Sequence, residues 1–211
     1  VVVHGAGDKA FVSGADISEF AQQRNSAEAT QVYDAVAQEG TQALKNLNKP
    51  TMAMIDGYCI GGGVAVALNC DIRIATDSSR FAVPAAKLGL GYEYDGVRKL
   101  VDVVGPSFAK EIFFTARQFS APEALAMGLI NRMVPKADLL AYVQQYAETI
   151  AANAPMTVAS IKTIVGELVK DESLRNVTLC DQLVAACFNS ADFTEGRTAF
   201  MEKRKPVFIN R

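Results

Sequence analysis

The chain has few of the groups on which much soluble catalysis and nucleic-acid binding rest. It has no tryptophan and a single histidine, His4, which ends an apolar run at a glycine turn. No serine or cysteine nucleophile pattern accompanies it, so nucleophile–base hydrolysis is not supported and His4 reads as a turn residue. The four cysteines, Cys59, Cys70, Cys180 and Cys187, form no C-x-x-C pair and stand inside apolar segments. They read as buried free thiols of a reducing compartment, and a cytoplasmic setting with no metal is expected. Lys plus Arg number 21 against 23 Asp plus Glu, with no long stretch of either sign, which argues against nucleic acid as the main partner. No run of about eighteen uninterrupted apolar residues offers a membrane span. Internal repeats and low-complexity tracts are absent. The chain opens on Val1-Val2-Val3 without a methionine. An upstream segment, with any targeting signal, is therefore expected.

What is present is a chain of 211 residues, half of them apolar, long enough to bury one sizeable core. Val1–Val3 reads as a strand, and Ala10-Phe11-Val12 resumes apolar before Ser13-Gly14. Residues 27–47 carry Val32, Val36, Leu44 and Leu47 at helical spacing, stopping before Asn48-Lys49-Pro50. Thr51–Ile55 and Asp71–Ala75 read as buried strands on either side of a brief helix predicted over Val64–Asn69. That βαβ-like rhythm points to an α/β fold. From Pro106 onward the pattern turns helical. Ser120-Ala121-Pro122-Glu123 has the form of a capping box with Gly128 as a stop, and Asn131–Val134 reads as a last strand. Helices are predicted over 137–153, 156–170 and 172–188, with Asp192–Glu195 as the cap of a fourth.

Two glycine-bearing turns, Ser13-Gly14-Ala15-Asp16 and Ile60-Gly61-Gly62-Gly63, each follow an apolar run. Backbone N–H groups at a tight turn or a helix start are unpaired and favour negative charge. Donors at Ala15 and Gly62 would together form an anion hole. Read alone, either turn is more simply glycine packing backbone on backbone. Dinucleotide binding, with Asp77 as the ribose acid, fits poorly: Gly61-Gly62-Gly63-Val64-Ala65-Val66 lacks the final glycine of the fingerprint, and the helix is short.

Lys9–Ile17, Asp56–Gly63 and Cys70-Asp71 resemble the signature segments of the crotonase, or enoyl-CoA hydratase/isomerase, superfamily. The similarity continues through Phe81–Gly96, Ser120–Asn131 and the closing Phe200–Pro206, and so spans essentially the whole chain. It implies an α/β fold, the ClpP/crotonase-like spiral of ββα units, over residues 1–136 with the acyl-CoA site. It also implies a C-terminal helical trimerisation region over 137–211, and the family's N-terminal strands missing from this chain. By the resemblance the substrate is an acyl-CoA thioester, and its enolate oxygen is held by the N–H groups of Ala15 and Gly62. Ala15, Asp16 and Ile17 would line the adenine end of CoA, Gly61 would also bind the substrate, and Lys203 and Lys205, which read alone as a solvated end, would lie near the CoA phosphates of this or a neighbouring subunit. The assembly would be a homotrimer or a dimer of trimers. No cofactor is implied, since coenzyme A enters with the substrate.

The departures from the family pattern carry as much meaning as the matches. In hydratases of this family two glutamates hold and activate the water, and those positions fall here on Ala65 and Ala85. Downstream lies Gly89-Leu90-Gly91-Tyr92-Glu93-Tyr94-Asp95-Gly96, dense in ionisable groups. Glu93 falls where certain enoyl-CoA isomerases of the family carry a proton-shuttling carboxylate. Tyr92 matches the tyrosine of malonyl-type acyl-CoA decarboxylases, although their histidine in the first glycine turn is Ala15 here. The stretch also reads as a polar surface loop. Double-bond isomerisation through Glu93 is the leading expectation. Decarboxylation through Tyr92, non-catalytic acyl-CoA binding and RNA binding through a basic helix are the alternatives, the last disfavoured because the 27–47 helix is poor in basic residues. Phe113 and Phe114 are expected in the core or along the acyl pocket.

Overall fold

The computed structural model describes residues 1–14, 36 and 39–211. The chain divides into two compact units, Val1–Leu47 with Thr51–Tyr142, and Asn48–Pro50 with Val143–Arg211.

The first unit is built on two four-stranded sheets. β1 (Val2–His4), β3 (Met52–Ile55), β5 (Ile72–Thr76) and β8 (Arg132–Val134) form one, ordered β1-β3-β5-β8 and parallel throughout. β2 (Ala10–Val12), β4 (Tyr58–Ile60), β6 (Arg80–Ala82) and β7 (Phe119–Ser120) form the other, with only the β6–β7 pair antiparallel. From β1 to β6 successive strands alternate between sheets, and helix α1 (Gly62–Leu68) follows β3 and β4, giving the ββα units expected of a crotonase spiral. Helix α2 (Tyr94–Thr115) and helix α3 (Ala121–Ala126) complete the layer.

The interior strands are apolar because both their faces are covered. Ala53, Ile55, Ile74 and Ala75 are fully buried, and Phe81 and Phe119 fill the core from the second sheet. Burying each such phenylalanine is worth about 1.5–3 kcal/mol. The starts of β3 and β5 are tied by a reciprocal pair: Asp71 accepts from the Thr51 backbone N–H at 2.7 Å and hydroxyl at 2.9 Å, while Thr51 Oγ1 accepts from Asp71 N at 3.0 Å. Arg73, buried within β5, donates from Nε to Leu129 O and from Nη1 to Cys70 O, so its charge enters the core with carbonyl partners.

The predicted strands and helices of this unit are present within a residue or two, and the capping box at Ser120 forms with Glu123 as its reciprocal partner. The region before Pro106 differs. The chain is helical from Tyr94, with a kink at Gly105 (φ 76°), because the stretch that reads as a polar loop ends in a helix burying Leu100 and Val104. Phe113 packs on the core as expected, whereas Phe114 is 76% exposed, since the helix turns that face outward. Most of the predicted 27–47 helix lies outside the described residues. Residues 39–45 are helical.

The second unit contains helix α5 (Pro155–Leu168), helix α6 (Val177–Phe188) and helix α7 (Ala191–Glu202), together with most of helix α4 (Leu139–Ala151). α6 starts at Val177, later than the predicted 172, because Glu172–Leu174 forms a 3-10 turn and Asn176 caps the helix by accepting from Leu179 N. The cap of α7 is Ser190, not the Asp192–Glu195 segment, which lies inside the helix with Asp192 in its first turn. Asp192, 2% exposed, accepts the N–H groups of Ile209 and Asn210, and Arg211 O accepts those of Ala191 and Asp192. Cys59 and Cys70 are buried, but Cys180 and Cys187 are only partly so because they lie on a helix with one open face. No helix among the described residues is long and apolar enough to cross a membrane.

Glu195 holds the returning tail through Arg204, at 2.6 and 2.9 Å, and through Val207 N at 2.8 Å. These bonds lower its pKa from 4.5 to about 2, the Arg204 pair contributing most. A depressed carboxylate stabilises the fold fully above its unfolded pKa and loses that contribution as pH falls toward the folded value. The stability gap between wild type and Glu195→Gln, followed by urea denaturation, is therefore expected to shrink as pH falls from 4.5 to 2.

Candidate functional site

The two glycine turns meet. β4 ends at Ile60, and Gly61 takes φ 55°, a left-handed conformation that L side chains rarely adopt, to start α1 directly off the strand. Its N–H donates to Ala82 O at 2.8 Å, and its carbonyl accepts from Val64 and Ala65 at 3.0 and 3.3 Å. Gly62 is the first residue of the helix, and its N–H has no acceptor among the described residues. β2 ends next to it. Gly14 has φ 100°, and a Cβ placed there would lie 3.2 Å from Ile60 O and 3.9 Å from Gly62 N. A Cβ on Gly63 would lie only 2.2 Å from Val12 O, so the helix start is pressed onto β2. Ala15, Asp16 and Ile17, the next residues along that turn, lie outside the described residues.

Around this junction, Pro84 Cδ lies 3.9 Å from where a Gly61 Cβ would stand, which brings the Pro84–Leu88 3-10 turn alongside. Ala85 is buried within that turn, and Ala65 is half-buried on the first turn of α1. Their methyl groups carry no proton and no charge. Tyr92 is half-buried, its ring edge-on to Phe113 with centroids 4.9 Å apart. The same ring leans on Gly96, where a Cβ would come within 2.7 Å of Tyr92 Cε1. Burial pushes the Tyr92 phenol above its ordinary pKa, so at neutral pH it is a hydrogen-bond donor and not a base.

Glu93 is the N-cap of α2, extended at φ −66°, ψ 149°, with its carbonyl receiving Val97 N and its exposed side chain making no cap bond to the helix. Tyr94, which follows it, is 75% exposed. Lys203 is the left-handed C-cap of α7 (φ 55°), and both it and Lys205 are exposed in the second unit. Among the described residues no group of three or more His, Cys, Asp or Glu side chains is placed to hold a metal ion. A strand-to-helix turn with an unpaired leading N–H, pressed on a second glycine turn, can receive a developing oxyanion.

The family model described as enoyl-CoA hydratase/isomerase matches residues 1–211. The chain belongs to that family. Members of the enoyl-CoA hydratase/isomerase family act on acyl-CoA thioesters. Among its relatives is a crotonyl-CoA hydratase of Syntrophomonas wolfei, 34% identical over 211 residues, covering all of this chain and 80% of the relative. A carnitinyl-CoA dehydratase of Escherichia coli is 33% identical over 215 residues, covering all of this chain and 81% of the relative. The crystal structure of an enoyl-CoA hydratase/carnithine racemase from Magnetospirillum magneticum superimposes with a TM-score of 0.94 at 35% identity, covering all of this chain and 78% of that one.

Sequence motifs pointed to Gly61 and Gly62, and the structure brings them onto Gly14. Two residues that the motifs did not single out, Asn69 and Lys99, stand hydrogen-bonded behind the same helix. A polar residue closing an otherwise apolar helix was the available signal for Asn69. Lys99, inside an amphipathic helix, gave none.

Substituting the closest approaches measures how tightly the junction is held. Gly63→Ala forces Cβ onto the Val12 carbonyl and is expected to cost about 1–3 kcal/mol of stability. Gly14→Ala imposes a left-handed backbone on alanine and is expected to cost more than about 1 kcal/mol. Urea denaturation of each variant against wild type checks both.

Proposed function

We propose that this chain binds an acyl-CoA thioester and moves a double bond within its acyl group, with Glu93 as the proton shuttle. The thioester oxygen would sit between the N–H groups of Ala15 and Gly62. Glu93 takes a proton from the α-carbon of a 3-enoyl-CoA, the pair of electrons flows into the thioester carbonyl, and the resulting dienolate oxygen is held by the two donors. The same carboxylic acid then returns the proton to the γ-carbon, leaving the double bond between the α- and β-carbons. Each donor to the oxyanion is worth roughly 3 kcal/mol in barrier. Asp16, Ile17 and Gly61 would line the CoA site, and Lys203 and Lys205 would meet the CoA phosphates of this or a neighbouring subunit.

The observation that carries this reading is the chemistry of the residues around the junction: methyl groups at Ala65 and Ala85, and a carboxylate at Glu93 capping the next helix. The named hydratase and dehydratase relatives favour a second reading, water addition or loss at the same enolate hole. It would require a water held without carboxylates at 65 and 85. Tyr92, held protonated by burial, is suited as a donor in malonyl-type decarboxylation, the third reading, and a non-catalytic acyl-CoA binder is the fourth. The apolar faces that α5 and α6 leave open, including Ile161, Val165, Leu168 and Phe188, support self-association as a trimer or a dimer of trimers.

Incubation with crotonyl-, 3-enoyl- and methylmalonyl-CoA separates the reactions. Conversion of 3-enoyl- to 2-enoyl-CoA is expected, and Glu93→Gln is expected to lower its kcat by about 10²–10⁴ with CoA binding kept. Rapid hydration of crotonyl-CoA, or an unchanged rate in Glu93→Gln, sinks the isomerase reading.

A further inference from the structure

Asn69 closes α1 and has both ends of its side chain engaged. Its Nδ2 donates to Ala65 O at 2.7 Å, and its Oδ1 accepts from Lys99 Nζ at 2.9 Å, with the asparagine only 7% exposed. Ala65 belongs to the first turn of α1, whose leading N–H is that of Gly62. Lys99 belongs to α2, whose N-cap is Glu93. One chain of two hydrogen bonds thus joins the helix that starts at the candidate oxyanion donor to the helix that starts at the candidate proton shuttle.

The link is placed where it has most influence. α1 spans only Gly62–Leu68, and a helix this short is set by its neighbours more than by its own hydrogen bonds. Its N-terminal end is pressed on β2 at Gly63, so its remaining freedom is at the C-terminal end, where Asn69 sits. The Lys99 ammonium stands at that end, where the carbonyl dipoles favour a cation. Around it, Lys45 opposes its charge and Asp95 supports it, while partial burial makes the Asn69 oxygen a valuable partner.

We propose that Asn69 and Lys99 are positioning residues that hold the Gly62 end of α1 in register with the Glu93 end of α2. This rests on the enolate-hole reading above. It assigns to the pair no contact with substrate: both act through the two helices. Loss of the ammonium leaves the Asn69 oxygen without its partner and lets α1 shift relative to α2. Displacement of reacting groups by about 1 Å can cost on the order of a hundredfold in rate.

The test uses Lys99→Met, which keeps the apolar stem, and Lys99→Arg, which keeps the donor. Thermal melting establishes that each variant is folded. Two readouts then follow: kcat and KM on a 3-enoyl-CoA, and the absorption of a bound, unreactive aryl-acrylyl-CoA thioester, whose band moves to the red when its carbonyl accepts hydrogen bonds. Lys99→Met is expected to lower kcat roughly ten- to a hundredfold with KM little changed, and to shrink the red shift, with Lys99→Arg restoring most of both. An unchanged kcat and red shift in Lys99→Met overturns the proposal, as does a Lys99→Arg protein as impaired as Lys99→Met. A wild type that shifts the probe without isomerising removes the Glu93 reading alone, and the probe still reads the effect of Lys99. A wild type that leaves the probe unmoved removes the hole, and this inference with it.

Discussion

Everything at the candidate site depends on how closely three pieces of backbone approach one another. The end of β2, the end of β4 and the first turn of α1 converge within van der Waals contact, and no side chain fits between them at Gly63. Such contact lets a helix begin directly on a strand and leaves the Gly62 N–H without an acceptor among the described residues. The requirement runs outward from there. Gly61 must be left-handed for the chain to turn, β4 must pair with β6 for Gly61 to find Ala82, and both sheets must be packed for β4 to be held.

Because strands β1 to β6 alternate between the two sheets, the loops that meet at their ends come from distant parts of the sequence. Gly14 follows β2 and Gly62 follows β4, yet the two lie in contact, and Pro84 after β6 reaches the same place. A parallel arrangement puts the strand ends that lead into helices on one side, where a ligand can be met by several turns at once. The chemistry of the site is then a matter of which side chain each turn presents. In this chain Ala65 on α1 and Ala85 in the turn after β6 carry methyl groups, and Glu93 is the N-cap of the next helix.

Much of this was legible in the sequence. The short, mostly apolar runs Thr51–Ile55, bounded by Pro50 and Gly57, and Asp71–Ala75 read within one residue of the strands Met52–Ile55 and Ile72–Thr76, because burial leaves a nearly continuous apolar signal. The capping box at Ser120 read correctly because its chemistry is local. The start of α2 did not, since glycines and charges before Tyr94 imitate a loop and the burial of Leu100 and Val104 depends on distant partners. The cap of α7 was misread for a related reason: Asp192 and Glu195 look like capping acids, but their carboxylates serve the returning tail. At the site, glycine spacing located the turns, whereas the Asn69–Lys99 link joins residues thirty positions apart and has no local signature.

That returning tail has a consequence for how the second unit opens. The N-terminal half of α7 lends Asp192 and Glu195 to amides near the end of the chain, and the Arg211 carbonyl satisfies two amides at the start of the same helix. Neither partner keeps its hydrogen bonds without the other. The helix start and residues 207–211 therefore form one cooperative opening unit, and detaching the tail frays α7 from its N-terminus. Lys203 and Lys205, lying between the two anchored stretches, inherit the order of that unit: the reach of their ammonium groups is set by a closed loop and not by a free end.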